Sequence, residues 1–493
     1  MKVVLATLQE DVHCYGLRML SAVLRRAGVE TTLVFLGRQP RRWGVRRAAG
    51  TGEPRLPPPR AFEQLVELCR DADLVGLSVL TLHYRLSADL SAALRRRIHA
   101  PLVWGGIHPT VQPDESITHA DIICRGEAEE TLLEIVERLG AGRHLDGVAG
   151  TWERRDGSVI KNELRPPPAD LDSLPDPDYS GAGHFVLEGG RLRPMTDALY
   201  LERTDGIYMT INARGCSLRC TYCCNSQYGR LFDWLRLRYR NADRIVDELA
   251  AAARRFPGLR GIKLSDDDFG DLSDEYIATF AAAYRARVGL PLGIPGFSPR
   301  NLTASKLDTL VGAGLEYVRL GIQSGSRAIR KLYGRPDTNQ QILAAVNLVH
   351  RFDGRIRRFK IDMITDNPWE SESDVLASVR LLMELPKPYV MTLFSLTLYP
   401  GTPLHTRAVR EGLAQDGVEA GYRRHFYRFD QRNALNRILS LFRRRVVLPS
   451  RIERLVGARE HPWRFRWRYW WYQAEATLRT LTTPGWWRRT PAW

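Results

Sequence analysis

Three cysteines, Cys216, Cys220 and Cys223, lie at the spacing C-x3-C-x2-C within Arg214-Gly215-Cys216-Ser217-Leu218-Arg219-Cys220-Thr221-Tyr222-Cys223. Thiolates this close in sequence share one loop and can hold three irons of a 4Fe-4S cube. The fourth iron then lacks a protein ligand and keeps an open coordination position at which an external chelator enters. A closed zinc site asks for four ligands, and this loop offers no well-placed histidine. Tyr222 stands before the last thiol, with loop packing as its plainest role, and Cys224 is read as a bystander. Four of the seven cysteines fall between 216 and 224, which fits metal ligation in a reducing compartment better than a disulfide framework.

A second grouping lies near the start of the chain. Asp11-Val12-His13-Cys14-Tyr15-Gly16 reads D-x-H-x-x-G directly after an apolar run. Alone it is a weak signal. Ser78-Val79-Leu80 and Gly105-Gly106 close two further apolar runs, so all three segments fall at strand ends, along the edge where doubly wound sheets bind cofactors.

The elements that must position these groups alternate between short apolar runs and amphipathic stretches, the pattern of an α/β chain with parallel sheets. Strands are expected at Val3–Leu8, Thr31–Phe35, Leu74–Ser78, Leu102–Gly105 and Ile122–Cys124, giving one flavodoxin-like, doubly wound domain over 1–140. The Arg, Pro and Gly-rich stretch Gly37–Arg60 reads as a surface loop. Residues 141–200, with Pro166-Pro167-Pro168, read as a connecting subdomain. From Ile207 the alternation resumes, at Ile207–Ile211, Gly261–Leu264, Leu292–Pro295, Tyr317–Gly321, Phe359–Ile364 and Thr392–Leu398, implying a partial (βα)6 barrel within 201–415. Residues 416–493 form a basic, aromatic helical extension holding seven of the twelve tryptophans, from Trp463 to Trp493.

The cysteine loop resembles the cluster motif of the radical S-adenosylmethionine (SAM) superfamily residue for residue. The resemblance implies a 4Fe-4S cluster on Cys216, Cys220 and Cys223, with SAM chelating the open iron and one electron cleaving it to a 5'-deoxyadenosyl radical. It sets Tyr222 against the adenine, Asp267 and Asp268 of Asp266-Asp267-Asp268-Phe269 near the methionine amino group, and Gln323 and Ser324 of Gly321-Ile322-Gln323-Ser324-Gly325 near the ribose and carboxylate. Ile361-Asp362-Met363-Ile364-Thr365-Asp366-Asn367-Pro368-Trp369-Glu370 and Tyr399-Pro400-Gly401-Thr402-Pro403-Leu404 resemble its fifth and sixth strand segments. Taken singly each of these is a turn or a cap; their order carries the resemblance.

The N-terminal domain is similar to the cobalamin-binding domains of methionine synthases and mutases. Under that likeness His13 supplies an imidazole to cobalt and Asp11 fixes its tautomer, or His13 is a loop histidine without metal; most cobalamin-binding radical SAM enzymes lack it. Gly16 lets the loop approach the corrin, Ser78 of Ser78-Val79-Leu80 hydrogen-bonds the tail base, and Gly105 and Gly106 leave room for the tail. Arg125-Gly126-Glu127 also matches, without a specific role.

Cluster and corrin together imply methylation of an unactivated carbon by way of methylcobalamin and the deoxyadenosyl radical, the cofactors carrying the hard steps. Within enzymes the alternative is cobalamin-dependent cyclisation or rearrangement without net methylation. Outside enzymes it is a cobalamin-based sensor, against which the complete cysteine motif argues. The formal charge of +16 can attract an anionic surface or be spread over a solvated one. Arg443-Arg444-Arg445 and Trp463-Arg464-Phe465-Arg466-Trp467-Arg468-Tyr469-Trp470-Trp471 alternate basic and aromatic groups as interfacial membrane segments do, and equally as a helix packed on the barrel with arginines snorkelling outward. The expected partners are a small-molecule, lipid or tetrapyrrole substrate and an electron donor such as flavodoxin or ferredoxin; nucleic acid has no supporting motif. No signal sequence or spanning run is evident, so a cytoplasmic enzyme in peripheral contact with the inner face of the membrane is the expectation.

Overall fold

The computed structural model describes residues 1–37, 56–233, 236–413, 429–430, 432–443 and 448–482. Its first sheet is nucleated by apolar runs buried on both faces, the condition for central parallel strands. These are β1 (Lys2–Thr7), β2 (Glu30–Phe35), β3 (Leu74–Ser78), β4 (Leu102–Gly105) and β5 (Ile122–Cys124). They lie in the order β5-β4-β3-β1-β2 and pair in parallel. The order reverses between β1 and β3, so the carboxyl ends of these two strands flank the crevice where such sheets take ligands. Val4, Val34, Val75, Leu102 and Ile123 form one core with Leu65, Leu90 and Leu94 of the covering helices.

Residues 141–200 do not stand apart as a connecting subdomain. They supply four strands to the same sheet: β6 (Thr151–Arg155), β7 (Ser158–Lys161), β8 (His184–Glu188) and β9 (Arg191–Pro194). β6 runs antiparallel to β5 and β7 to β6 at one edge; β8 runs parallel to β2 and β9 antiparallel to β8 at the other. The added strands satisfy edge N–H and C=O groups that the five central strands would leave open.

The second sheet is wholly parallel and ordered in sequence: β10 (Ile207–Thr210), β13 (Gly261–Leu264), β14 (Leu292–Phe297), β15 (Leu315–Gln323), β16 (Arg358–Thr365) and β17 (Val390–Ser395), with short strands β11 (Ala213–Arg214) and β12 (Arg238–Tyr239) between the first two. In β15 and β16 one face is apolar and buried, with Val318, Leu320, Ile361 and Met363, while the other carries Tyr317, Arg319, Lys360 and Asp362. Six parallel strands joined by helices give the expected partial barrel.

Two compact units result. One comprises Met1–Gly206, Ser226–Arg238 and the chain from Leu398; the other comprises Ile207–Asn225, Tyr239–Thr397 and the C-terminal helices. The boundaries expected at 201–415 therefore enclose three strips that group with the first sheet: 201–206, Ser226–Arg238 and the segment from Leu398. In the C-terminal part, helices Ala434–Leu441, Pro449–Ala458 and Pro462–Thr482 are described. The last turns Phe465, Tyr472 and Ala476 inward and leaves Trp463, Trp467, Trp470 and Trp471 between 61% and 71% exposed. Arg444, Arg445, Trp486, Trp487, Trp493 and most of the Gly37–Arg60 loop lie outside the described residues. Among those described, no helix is long and apolar enough to cross a membrane.

Candidate functional site

The cysteine loop is pinned from two directions. From the turn after β13, Asp267 accepts from the Gly215 N–H and the Asn225 side chain, one at each end of the loop. Asp271 accepts from the Ser217 N–H at 2.8 Å and its hydroxyl at 2.7 Å. From the segment after β15, Tyr333 O takes the Thr221 N–H at 3.0 Å, and Leu332 O takes the Thr221 hydroxyl at 2.8 Å. Gly334 allows this approach, having a φ of +68° and standing where an added Cβ would lie 2.7 Å from Arg219 O. Arg335 brings Nη1 to 3.7 Å from Cys220 Sγ and also donates to Gly321 O, which sets a cation against a sulfur.

Burial pushes the Cys216 and Cys220 thiols above their ordinary range, with Arg335 opposing it at Cys220. The Cys224 hydrogen bond and then burial raise Cys223 as well. Thiols held neutral in this way release their protons on taking iron. Three sulfur donors on one loop, fixed at both ends and with a guanidinium beside the middle one, fit a 4Fe-4S cluster. Cys224 is exposed, with Sγ 3.9 Å from Asn225 Oδ1.

The residues expected near SAM divide. Tyr222 packs edge-on against Tyr333 with ring centroids 5.1 Å apart. Asp267 is exposed and clamps the loop ends, as above. Asp268 is buried and accepts from the Gly270 N–H at 3.0 Å and Asn301 Nδ2 at 3.2 Å. Its carboxylate, with that of Asp271, has an oxygen within 4.8 Å of Cys216 Sγ, and burial, then Asp271, raises it to about 6. Gln323 ends β15 with a φ of +70°, beside a register shift against β16. Ser324 is fully buried; its hydroxyl accepts from the Ser326 N–H at 3.1 Å and faces Ser378 Oγ at 3.3 Å, which makes it a support of the turn. At the ends of β10 and β13, Thr210 Oγ1 and Asp266 Oδ2 are buried without a hydrogen-bond partner among the described residues, and burial raises Asp266 to about 7. Orphaned polar atoms at strand ends suit a ligand carrying amino, carboxylate and hydroxyl groups, as SAM does.

In the first sheet the expected residues form two groups at the strand ends. Asp11 Oδ1 accepts from the His13 N–H at 2.9 Å and from ring Nδ1 at 2.6 Å. With the proton on Nδ1, Nε2 carries the lone pair that a metal takes. His13 is 9% exposed and meets Tyr200 edge-on at 6.1 Å. Gly16, on the first turn of the helix after it, faces open space. Ser78 and Gly105 are direct neighbours across β3 and β4, and Leu80 is half-buried just beyond. Gly106 has a φ of +101°, and a Cβ there would lie 3.0 Å from Val79 O and 3.6 Å from Ser78 Oγ. Gly106 is required there by its positive φ and by the close approach of Val79, and the strand ends carrying Ser78, Gly105 and Gly106, with a histidine on the loop after β1, fit cobalamin.

Sequence reasoning missed the residue that holds the His13 turn. Arg18 is buried on the helix Tyr15–Arg26 and donates to Val12 O at 2.7 Å, His13 O at 2.9 Å and Asp178 O at 2.8 Å. Its guanidinium also stacks 4.2 Å from the Tyr179 ring centroid. Its one sequence signal is position, since it interrupts the buried face of Leu17, Met19 and Ala22. Arg335 and Tyr333, on the irregular stretch after β15, carried no signal.

Comparison with known proteins finds matches to both parts of the chain. Residues 1–136 match the B12 binding domain family, and residues 211–382 match the radical SAM superfamily. An uncharacterized methyltransferase of Pyrococcus horikoshii is 27% identical over 350 residues, covering 70% of this chain and 71% of its own length. The anaerobic magnesium-protoporphyrin IX monomethyl ester cyclase of Rubrivivax gelatinosus is 25% identical over 296 residues, 56% of this chain and 48% of that protein, so the chain spans about half the length of that relative. In fold, the chain is similar to the radical SAM methyltransferase TsrM of Kitasatospora setae, solved with tryptophan substrate and a SAM analog (TM-score 0.63, 19% identity, 83% of this chain and 76% of the other). It is similar also to the cobalamin-dependent enzyme OxsB with aqua-cobalamin and SAM bound (TM-score 0.63, 16% identity, 95% and 72%). A B12-binding sheet, a parallel barrel and a complete three-cysteine loop in one chain identify it as a member of the cobalamin-binding branch of the radical SAM superfamily, a cobalamin-dependent radical SAM enzyme.

Proposed function

We propose that this enzyme methylates an unactivated carbon. The observation that carries the reading is the presence, in one chain, of a loop built for a site-differentiated cluster and a doubly wound sheet whose strand ends carry Ser78, Gly105, Gly106 and the Asp11–His13 pair. When bound, cobalamin supplies a methyl group, and the cluster with SAM supplies the 5'-deoxyadenosyl radical that removes substrate hydrogen. The chain's residues hold and orient. Cys216, Cys220 and Cys223 take three irons, and Asp267 and Asp271 keep the loop in place. Thr210, Asp266 and Gln323, with Tyr222 beside the loop, offer polar and aromatic surface to SAM. His13, its Nδ1 held by Asp11, would supply Nε2 as a cobalt ligand, and Ser78, Leu80, Gly105 and Gly106 would receive the tail.

The test is an anaerobic assay of cluster-reconstituted, cobalamin-loaded enzyme with reductant and fractionated host extract, in which S-adenosylhomocysteine and 5'-deoxyadenosine are quantified together. Near-equal amounts of both, dependent on one fraction, support methylation. 5'-Deoxyadenosine alone replaces it with cyclisation or rearrangement, the reaction class named for the cyclase relative. The reductant stands in for a one-electron donor such as flavodoxin or ferredoxin. The exposed tryptophans of helix Pro462–Thr482, interleaved with Arg464, Arg466 and Arg468, support peripheral docking on an anionic bilayer and hence an apolar or lipid-associated substrate.

A further inference from the structure

One side chain beside the cysteine loop is placed for more than holding it. Arg335 and Asp337 are both buried, at 7% and 4% exposure, on the irregular stretch between the helices Arg327–Leu332 and Asn339–His350. A second buried arginine fixes their positions. Arg330 Nε donates to Asp337 O at 2.8 Å and Nη1 to Ser324 O at 2.7 Å, while Arg330 O takes the Arg335 N–H at 2.8 Å. Gly321 leaves the space through which the guanidinium passes, since a Cβ there would lie 3.3 Å from Arg335 Nη2. The three nitrogens of that guanidinium meet three different groups. Nη2 donates to Gly321 O, Nη1 donates to Cys220 Sγ at 3.7 Å, and Nε lies 3.4 Å from Asp337 Oδ2.

A guanidinium that only bolted this stretch together would spend its donors on oxygen, as Arg18 and Arg330 do on carbonyls. Sulfur in a neutral thiol is a weak acceptor, and taking a guanidinium out of water is costly unless its donors are well used. The arrangement becomes favourable when the sulfur is a thiolate carrying cluster charge, because charge-assisted hydrogen bonds are roughly twice as strong as neutral ones. The loop treats its sulfurs unequally: Cys216 Sγ takes an uncharged donor, the Leu218 N–H at 3.4 Å, and Cys220 Sγ takes the cation. Neither Arg335 Nε nor Asp337 Oδ2 has a hydrogen bond among the described residues, so the carboxylate acts there through its charge. Asp337 Oδ1 takes the Arg300 N–H at 3.3 Å, which keeps that charge in place. Hydrogen bonds to sulfur and net charge are among the features that set a cluster's reduction potential.

We infer that Arg335 sets the reduction potential of the cluster through Cys220, favouring the reduced form, and that Asp337 offsets part of this effect. The electron supplied by a one-electron donor adds negative charge to iron and sulfur, and no proton or covalent bond changes at Arg335. A fixed cation at the Cys220 sulfur stabilises that charge, and the carboxylate on its Nε side opposes the gain. The inference rests on Cys220 holding cluster iron. It deepens the proposed reaction at its first step, since the cluster takes up an electron before SAM is cleaved.

The test is a redox titration of the full-length, cobalamin-loaded enzyme without SAM, in which electron paramagnetic resonance follows the signal of the one-electron-reduced cluster. Arg335→Gln, which keeps a planar amide but no charge, should leave the cluster about 10-fold harder to reduce, a shift of ~59 mV to lower potential for one electron. Arg335→Lys keeps the charge and should fall between wild type and Arg335→Gln. Asp337→Asn should move the potential the opposite way, by about 3-fold in the reduced fraction, because it removes the offsetting negative charge. Opposite signs separate tuning from a merely structural role, since loosening the loop would move both variants together. If Arg335→Gln takes up no iron, the sign in Asp337→Asn decides by itself. An unchanged potential in Arg335→Gln, shifts of the same sign in both variants, or no upward shift in Asp337→Asn would overturn the assignment. So would an unchanged potential in Arg335→Gln with weaker SAM binding in equilibrium dialysis, which would make the cofactor's carboxylate the partner of the guanidinium. Iron and sulfide analysis of Cys220→Ala tests the ligand reading separately: a full cluster in that variant would overturn both. No substrate is present, so the result holds whether the enzyme methylates or cyclises.

Discussion

Arg18 offers the sharpest test of how the corrin site is held. It is 1% exposed and bonds to three backbone carbonyls, at 2.7 Å to Val12, 2.9 Å to His13 and 2.8 Å to Asp178. Arg18→Met keeps the aliphatic stem and removes every donor. A hydrogen bond from a charged group contributes about 1.5–3 kcal/mol, and a carbonyl left buried without a donor costs about 1–3 kcal/mol. Part of this is returned because methionine avoids burying a guanidinium, so the expected net loss is about 3–5 kcal/mol. The Asp11–His13 turn loses its support at the same time, and loosened metal-ligand positioning typically costs about 10–100-fold in affinity. The assay is urea unfolding of the full chain followed by near-ultraviolet circular dichroism, paired with equilibrium dialysis of cobalamin. A shift below about 1 kcal/mol together with unchanged cobalamin affinity would refute the reasoning, since it would mean that the turn holds its shape without Arg18.

Four further outcomes are expected. His13→Ala should remove nitrogen hyperfine structure from the electron paramagnetic resonance spectrum of the cob(II)alamin form, and Asp11→Asn should weaken cobalamin binding by about 10-fold; a wild-type spectrum without nitrogen coupling rules out cobalt ligation by His13. Cys216→Ala should abolish cluster assembly and SAM cleavage while Cys224→Ala preserves both, as iron and acid-labile sulfide analysis will show. Burial holds His108 down at about 3, so it stays neutral in the folded chain while the unfolded chain binds a proton there below about pH 6.5. The wild-type protein should therefore lose about 1.4 kcal/mol per pH unit relative to His108→Gln as pH drops below about 6.5, the raised acids Asp266 and Asp268 being common to both; denaturant titrations in which the difference between the two stays constant from pH 6.5 to 5 contradict this. Trp467→Ala/Trp470→Ala/Trp471→Ala should abolish co-sedimentation with phosphatidylglycerol vesicles, and failure of the wild-type protein to sediment with them removes the bilayer from the proposal.

The strands were legible because buried parallel strands read as short apolar runs between turn signals; Leu74–Ser78, Leu102–Gly105, Ile122–Cys124 and Gly261–Leu264 match to the residue. The four strands within 141–200 were not assigned to the first sheet. β7 and β9 are short, polar and exposed, and which edge a strand joins is decided by tertiary pairing that no local pattern carries. Cys216, Cys220 and Cys223 were legible because cluster chemistry constrains spacing. Ser324 and Asp267 show the limit: a hydroxyl or carboxylate at a strand end is as useful for tying the turn as for meeting a ligand, and only the partners Ser378, Gly215 and Asn225 decide.

The way the two units are threaded limits how this enzyme can be taken apart. The chain passes from one unit to the other after Gly206, Asn225, Arg238 and Thr397, and a fifth time before the C-terminal helices, so neither is encoded by one continuous stretch. A gene fragment ending at 206 would give a corrin-binding sheet stripped of Ser226–Arg238 and the segment from Leu398, and a fragment starting at 207 would carry those strips with nothing to pack on. Recombination that exchanges one cofactor module for a foreign one, easy where domains follow one another on the chain, is closed to this architecture unless five joints are made at once. Substrate range is left to change through point substitutions in the barrel and through the C-terminal helices.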